Sequence, residues 1–162
     1  MGKVAVFMGS DSDLGVVEKG LKVLKEFGVE YEARVISAHR TPRQAEEFAR
    51  NAKANGFEVI IAAAGKAAHL GGVLAAMTTL PVIGIPIKTS LMGGMDSLLS
   101  IVQMPKGIPV ATVAVDGAEN AALLAIQMMA LKDKDLDKKL EDYKVKMEEE
   151  VVEKDKKLQE RI

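Results

Sequence analysis

Apolar positions along this chain follow two alternating rhythms. Short runs rich in β-branched residues occur at VAVFMG (4–9), YEARVI (31–36), EVIIAAAG (58–65), PVIGIP (81–86) and PVATVAV (109–115). Each is expected to be a strand, and several are apolar on successive positions, the pattern of parallel strands covered on both faces. Between the first two, Leu14, Val17, Leu21 and Leu24 recur at helical spacing, and Gly28 follows as a C-terminal cap. The next helix has Thr41 as its N-cap candidate, Pro42 in the first helical position and Gln44 completing a T-x-x-Q capping box. Ala45, Phe48, Ala49 and Ala52 form its buried stripe, and Gly56 is its expected stop. Further helices are expected over 70–79, 94–104 and 117–131.

Five strands alternating with helices predict an α/β fold, a flavodoxin-like three-layer sandwich around a parallel sheet, because right-handed crossovers place helices on both faces. Past Ala130 the composition turns strongly charged. Leu136, Leu140, Tyr143, Met147, Val151 and Leu158 trace a narrow stripe, interrupted by polar residues near 154. This segment reads as a long C-terminal helix, either a solvated amphipathic helix on its own domain or, as the narrow stripe running well beyond the sheet favours, one that packs on a neighbouring subunit. With no linker in view, the chain is expected to be one domain, 1–162, with an α/β core over about 1–131 and the charged helix over about 132–162.

Charge narrows the possible partners. Lys and Arg total 22 against 23 Asp and Glu among 162 residues, so no basic footprint for nucleic acid or anionic lipid is present. No apolar stretch approaches the roughly 18 residues of a membrane span, and the opening MGKVAVFMGS has no basic leader. A soluble, cytoplasmic protein is expected. The absence of cysteine removes disulfides, thiolate metal sites and a thiol nucleophile.

Ligands of doubly wound sheets gather at the carboxyl ends of the strands. Those ends are GSDSD (9–13), SAHRTP (37–42), GKAAHLGG (65–72) and PIKTSLMGGMDS (86–97), and both histidines of the chain lie among them. In the first, Gly9 permits close backbone approach, while Ser10 and Ser12 stand at a helix start suited to a phosphate. Asp11 or Ser12 could instead simply cap that helix. Asp13 suits sugar hydroxyls better than phosphate. Arg40 offers a permanently charged fork of donors for a phosphate, although a surface ion pair is an equally common use of an arginine. Histidine titrates nearest neutrality, and His39 has a guanidinium as its chain neighbour, so it is the candidate for proton transfer. His69 sits among alanines and glycines that leave room for a flat ligand. It lacks the partners of a metal ligand, and AAAGKAAH fails as a phosphate-binding P-loop because alanine follows Lys66. The segment MGGMDSLLS (92–100) reads either as a glycine-hinged flap or as a plain turn and helix start.

Together MGSDSD, SAHRTP, AAHLGG, PVIGIP and GGMDSLLSIVQMPKGIPVATVAV resemble, in order from about residue 3 to 130, the N5-carboxyaminoimidazole ribonucleotide mutases of bacterial purine biosynthesis. The resemblance implies a flavodoxin-like subunit in a homo-octamer and an isomerase that uses no metal, ATP or organic cofactor. The substrate it implies is a small ribonucleotide whose carboxylate moves from an exocyclic nitrogen to the adjacent ring carbon. By the same resemblance His39 is the general acid and base. Ser10, Asp13 and Arg40 are nucleotide-binding positions, Ser12 assists at the phosphate, and Ser37 and His69 also belong to the substrate site. Two departures stand out: the family usually has glycine at the position of Lys66 and proline at that of Gly71. A direct carboxylase acting on aminoimidazole ribonucleotide and carbon dioxide is the nearest alternative. A flavin carrier fits poorly with four Phe, two Tyr and no Trp, and a phosphoacceptor domain lacks its aspartate after the third strand.

Overall fold

The computed structural model describes residues 2–162. Five parallel strands, β1 (Lys3–Met8), β2 (Tyr31–Val35), β3 (Phe57–Ala64), β4 (Val82–Pro86) and β5 (Ala111–Thr112), form one sheet in the order β2-β1-β3-β4-β5. This is the flavodoxin-like order, with its switch point at β1 and β3. The helices are α1 (Leu14–Phe27), α2 (Pro42–Asn51), α3 (Leu70–Ala75), α4 (Met95–Val102), α5 (Ala118–Ala130) and α6 (Lys134–Gln159).

The continuous apolar strands bury both faces. Along β3, Val59, Ile61 and Ala63 join one core with Val17 and Leu24 of α1, Ile126 of α5 and Leu136 of α6. The alternate residues Ile60, Ala62 and Ala64 join the other, with Ala45 and Ala49 of α2, Leu74 of α3 and Ile101 of α4. Period-two alternation thus divides one strand between two layers. On the first face α1 and α5 approach closely at Gly20, where a Cβ would lie 2.6 Å from the Ala118 carbonyl oxygen. Only glycine accommodates that crossing.

Several predicted boundaries shift. The last strand pairs only through Ala111 and Thr112 rather than over 109–115. Pro109 has no N–H to contribute, and the Ala114 carbonyl accepts the Gly117 N–H in a turn instead of entering the ladder. The helix expected over 70–79 ends at Ala75, where Thr78 begins a local turn by accepting the Leu80 N–H on its hydroxyl before Pro81. The helix expected over 94–104 ends at Val102, because Pro105 disfavours helical backbone in the residue before it. The helix after β2 ends at Asn51, and Gly56 instead closes the following turn at φ +82°.

The capping box is not formed. The Thr41 hydroxyl donates to the Ser37 carbonyl and accepts the Ser37 N–H, both at 3.0 Å, which removes it from the helix. At the first strand end the cap is Ser10, whose hydroxyl accepts the Ser12 N–H, rather than Asp11 or Ser12. The segment 92–94 is a turn leading into α4, with Gly94 packed against Val115 and the backbone of Lys88.

The C-terminal helix is continuous through 154, and its 26 residues extend about 39 Å. Asp133 caps it by accepting the Asp135 and Leu136 N–H groups. Leu136 and Leu140 are buried, and Lys139 Nζ donates to the Phe27 carbonyl at 2.7 Å, closing the C-terminal end of α1. Beyond Tyr143, which packs on Phe27, the stripe residues Met147, Val151 and Leu158 are exposed.

Candidate active site

The loops after β1, β2, β3 and β4 surround one cleft of about 590 Å³, within the range of small-ligand sites. All seven residues singled out in the sequence line it. Their arrangement follows from local bonding. After β1, a short 3₁₀ turn at Asp11–Asp13 leads into α1. The Ser12 hydroxyl donates to the Ser10 hydroxyl at 2.9 Å, so both oxygens stand together at the opening of a 14-residue helix. Asp13 is buried yet lines the cleft, and that burial raises its carboxyl pKa against the opposing hydrogen bonds of Ser12 and Ser10.

After β2, Ser37 organises the turn. Its hydroxyl accepts the Arg40 N–H at 3.1 Å, while Thr41 holds its backbone from the other side. Arg40 Nη2 then donates to the Gly9 carbonyl at 3.2 Å, clasping the β2 loop to the β1 loop. This places the guanidinium beside the Ser10 and Ser12 hydroxyls as a donor set for an oxyanion.

His39 and His69 meet across the cleft, with His39 Nε2 and His69 Nδ1 2.9 Å apart and the rings edge to face at 80°. One nitrogen must donate and the other accept, so the facing edges hold a single proton between them. Such a pair can pass a proton to a bound ligand without rearranging the backbone.

Sequence reading missed what holds His69 in place. Ser97 of α4 is fully buried, and its hydroxyl accepts the Lys66 N–H at 2.8 Å. Ser100, one turn on, donates to the Lys66 carbonyl at 3.2 Å. Lys66 is fixed in the left-handed region at φ +58°, and the chain then turns tightly through Ala67 and Ala68 to His69. The available signal was a serine four residues before Ile101, on the buried face of an apolar helix. Near it the Thr89 hydroxyl, and then the Ser97 N–H, hold the Asp96 carboxyl below the usual carboxylate range. Among the described residues no group of three or more His, Asp or Glu is arranged to hold a metal ion, and no helix is long and apolar enough to cross a membrane.

A flavodoxin-like sandwich whose strand-end cleft joins a corner of hydroxyl and guanidinium donors to a histidine pair has the geometry of a small-ligand site with acid–base capacity. The chain belongs to the AIR carboxylase family, whose model matches residues 3–150. It is 59% identical over 147 residues to the N5-carboxyaminoimidazole ribonucleotide mutase of Pyrococcus abyssi, covering 91% of this chain and 84% of that protein. To the mutase of the same name from Thermotoga maritima it is 52% identical over 159 residues, covering 98% and 93%. The phosphoribosylaminoimidazole carboxylase of Saccharomyces cerevisiae is 52% identical over 156 residues, which are 96% of this chain but 27% of the yeast protein. The crystal structure of Treponema denticola PurE superposes with a TM-score of 0.88 at 33% identity, covering 96% of this chain and 97% of that one.

Proposed function

We propose that this chain is an N5-carboxyaminoimidazole ribonucleotide mutase, an isomerase of purine biosynthesis that forms 4-carboxy-5-aminoimidazole ribonucleotide. The observation that carries the proposal is the His39–His69 pair at 2.9 Å in a cleft whose other corner is built from Ser10, Ser12 and Arg40. A nucleotide carrying a phosphate at one end and a proton-demanding heterocycle at the other matches that division. The nearly full-length identity to proteins named as this mutase supports the same substrate.

In the proposed reaction the substrate phosphate lies against Arg40, Ser10 and Ser12, Ser37 keeps the Arg40 turn in place, and Asp13 accepts from ribose hydroxyls. Protonated His39 donates to the exocyclic nitrogen as its bond to the carboxylate carbon breaks. Aminoimidazole ribonucleotide and carbon dioxide are then held together. The ring carbon attacks carbon dioxide, forming the new carbon–carbon bond, and neutral His39 takes the proton from that ring carbon. The proton lent to nitrogen is thus replaced by one from carbon, and the reaction is an isomerisation in which His39 is regenerated. His69 bonds the ring of His39 and borders the heterocycle. Confinement matters because an escaped carbon dioxide turns a unimolecular recapture into a bimolecular one. The chemistry requires no metal or cofactor.

We also infer a homo-octamer in the cytoplasm, in line with the resemblance. The exposed apolar residues Val145, Met147, Val151 and Leu158 of α6, with Leu99 and Val102 of α4, support burial against neighbouring subunits. A solution mass eight times 17.4 kDa is expected.

The yeast relative's name favours one second reading, direct carboxylation of aminoimidazole ribonucleotide. Carboxyl-¹³C substrate turned over in unlabelled bicarbonate separates the two. Retention of label in the product supports the mutase, and equilibration of the label with the medium supports the carboxylase.

A further inference from the structure

Lys66 occupies a backbone conformation that lysine disfavours. Its φ of +58° lies in the left-handed region, and only Met92 and Asp116 share positive φ among the other non-glycine residues described. Asp116 has an evident local use, since its carboxylate accepts the Lys88 N–H at 2.8 Å. Lys66 has none of that kind. Its side chain is exposed rather than packed, and among the described residues no carboxylate pairs with it. The backbone is nevertheless pinned on both sides, the N–H to Ser97 and the carbonyl to Ser100 and Ala68. Glycine would meet the same constraint without strain. An exposed lysine that borders the cleft from a fixed base therefore points to a use within the cleft.

Topology indicates what that use is. Arg40 follows β2 and Lys66 follows β3, with β1 between them, so the two loops leave the sheet about 10 Å apart, two inter-strand spacings. Arg40 stands with the serine hydroxyls, whereas Lys66 shares its tight turn with His69. Two cations so separated suit a ligand with two separated anionic groups. We propose that Lys66 is a specificity-determining residue that binds the substrate's carboxylate, the anion distinguishing the carboxylated nucleotides from aminoimidazole ribonucleotide. This rests on the functional reading above. The proposed contact restrains the carboxylate in the ground state and loosens once it becomes neutral carbon dioxide, so it acts on binding and selectivity rather than on proton transfer.

The test compares binding of 4-carboxy-5-aminoimidazole ribonucleotide and of aminoimidazole ribonucleotide by calorimetry, in the wild type, Lys66→Met and Lys66→Gly. Both variants are expected to bind the carboxylated nucleotide about 5- to 20-fold more weakly while binding the uncarboxylated one within about twofold of wild type. The loss should shrink as salt is raised. Lys66→Gly is expected to melt no lower than wild type, so that lost affinity is not lost folding. Equal weakening of both nucleotides, or of neither, overturns the assignment. Lys88 is the other lysine of the cleft, one strand further along the edge. If Lys88→Met removes the discrimination and the Lys66 variants retain it, the assignment to Lys66 is likewise overturned. Wild-type protein that binds and turns over neither nucleotide overturns the functional reading with it. Wild-type turnover with unselective Lys66 variants overturns this inference alone.

Discussion

Ser97 is the perturbation that most directly probes how the fold holds its chemistry. It is fully buried, touches the cleft only through the chain, and fixes the Lys66 amide at 2.8 Å. Ser97→Ala deletes the acceptor and leaves that N–H without its partner. An amide deprived of a buried bond costs about 1–3 kcal/mol, toward the lower end where water can reach it. Lys66 is exposed, so about 1–2 kcal/mol is expected. For a chain of this length each kcal/mol moves Tm by roughly 2–4 °C, giving a fall of about 2–8 °C in a melt followed by circular dichroism. The same loss frees the turn that carries His69, and an error approaching 1 Å there is expected to lower kcat/KM by about 10- to 100-fold. Ser100→Ala is the internal comparison. The Lys66 carbonyl keeps its bond from the Ala68 N–H when Ser100 is truncated, so the effect should be smaller. A Ser97→Ala protein melting within 1 °C of wild type, or one less perturbed than Ser100→Ala, refutes the clamp.

Three further outcomes are expected. His39→Asn should remain folded while kcat falls by about 10²- to 10⁴-fold, or about 2.7–5.5 kcal/mol in barrier; near-normal turnover removes His39 from proton transfer. Arg40→Ala should raise KM by tenfold or more with a smaller change in kcat, as expected for loss of a charged phosphate contact, and an unchanged KM contradicts that contact. Asp13→Asn tests the buried carboxyl. Because the folded-state pKa of Asp13 is raised, the folded protein favours the protonated form, and that contribution is present at low pH and lost as pH rises through the folded value. The variant should therefore be more stable than wild type near neutrality, with the gap closing below about pH 4. A stability difference independent of pH contradicts this.

The core was legible because its signal is repeated. Each continuous apolar run feeds two layers, and the capping glycine and buried stripes of α1 and α2 follow helical geometry. Element ends were less legible where tertiary bonds compete with local propensity. Thr41 matches a capping box on paper, but Ser37, four residues earlier, takes both functions of its hydroxyl. β5 looked seven residues long because its apolar run says nothing of which N–H groups find a ladder. The candidate site was readable as four polar strand ends, since a parallel sheet brings those ends together. The 2.9 Å meeting of His39 and His69, 30 residues apart, depends on loop conformation and could not be read from spacing. Nor could the Ser97 clamp, whose partner lies 31 residues away on another element. The exposed outer half of α6 is the converse case: its apolar stripe was visible, but the core of the chain takes up only the first turns.

The most direct measurement is turnover of freshly prepared N5-carboxyaminoimidazole ribonucleotide, followed by ultraviolet absorbance, beside aminoimidazole ribonucleotide with dissolved carbon dioxide at low concentration. Fast conversion of the carboxylated substrate, with little product from the second mixture, is the expected result. Product from aminoimidazole ribonucleotide and carbon dioxide alone, or from neither mixture, contradicts the mutase.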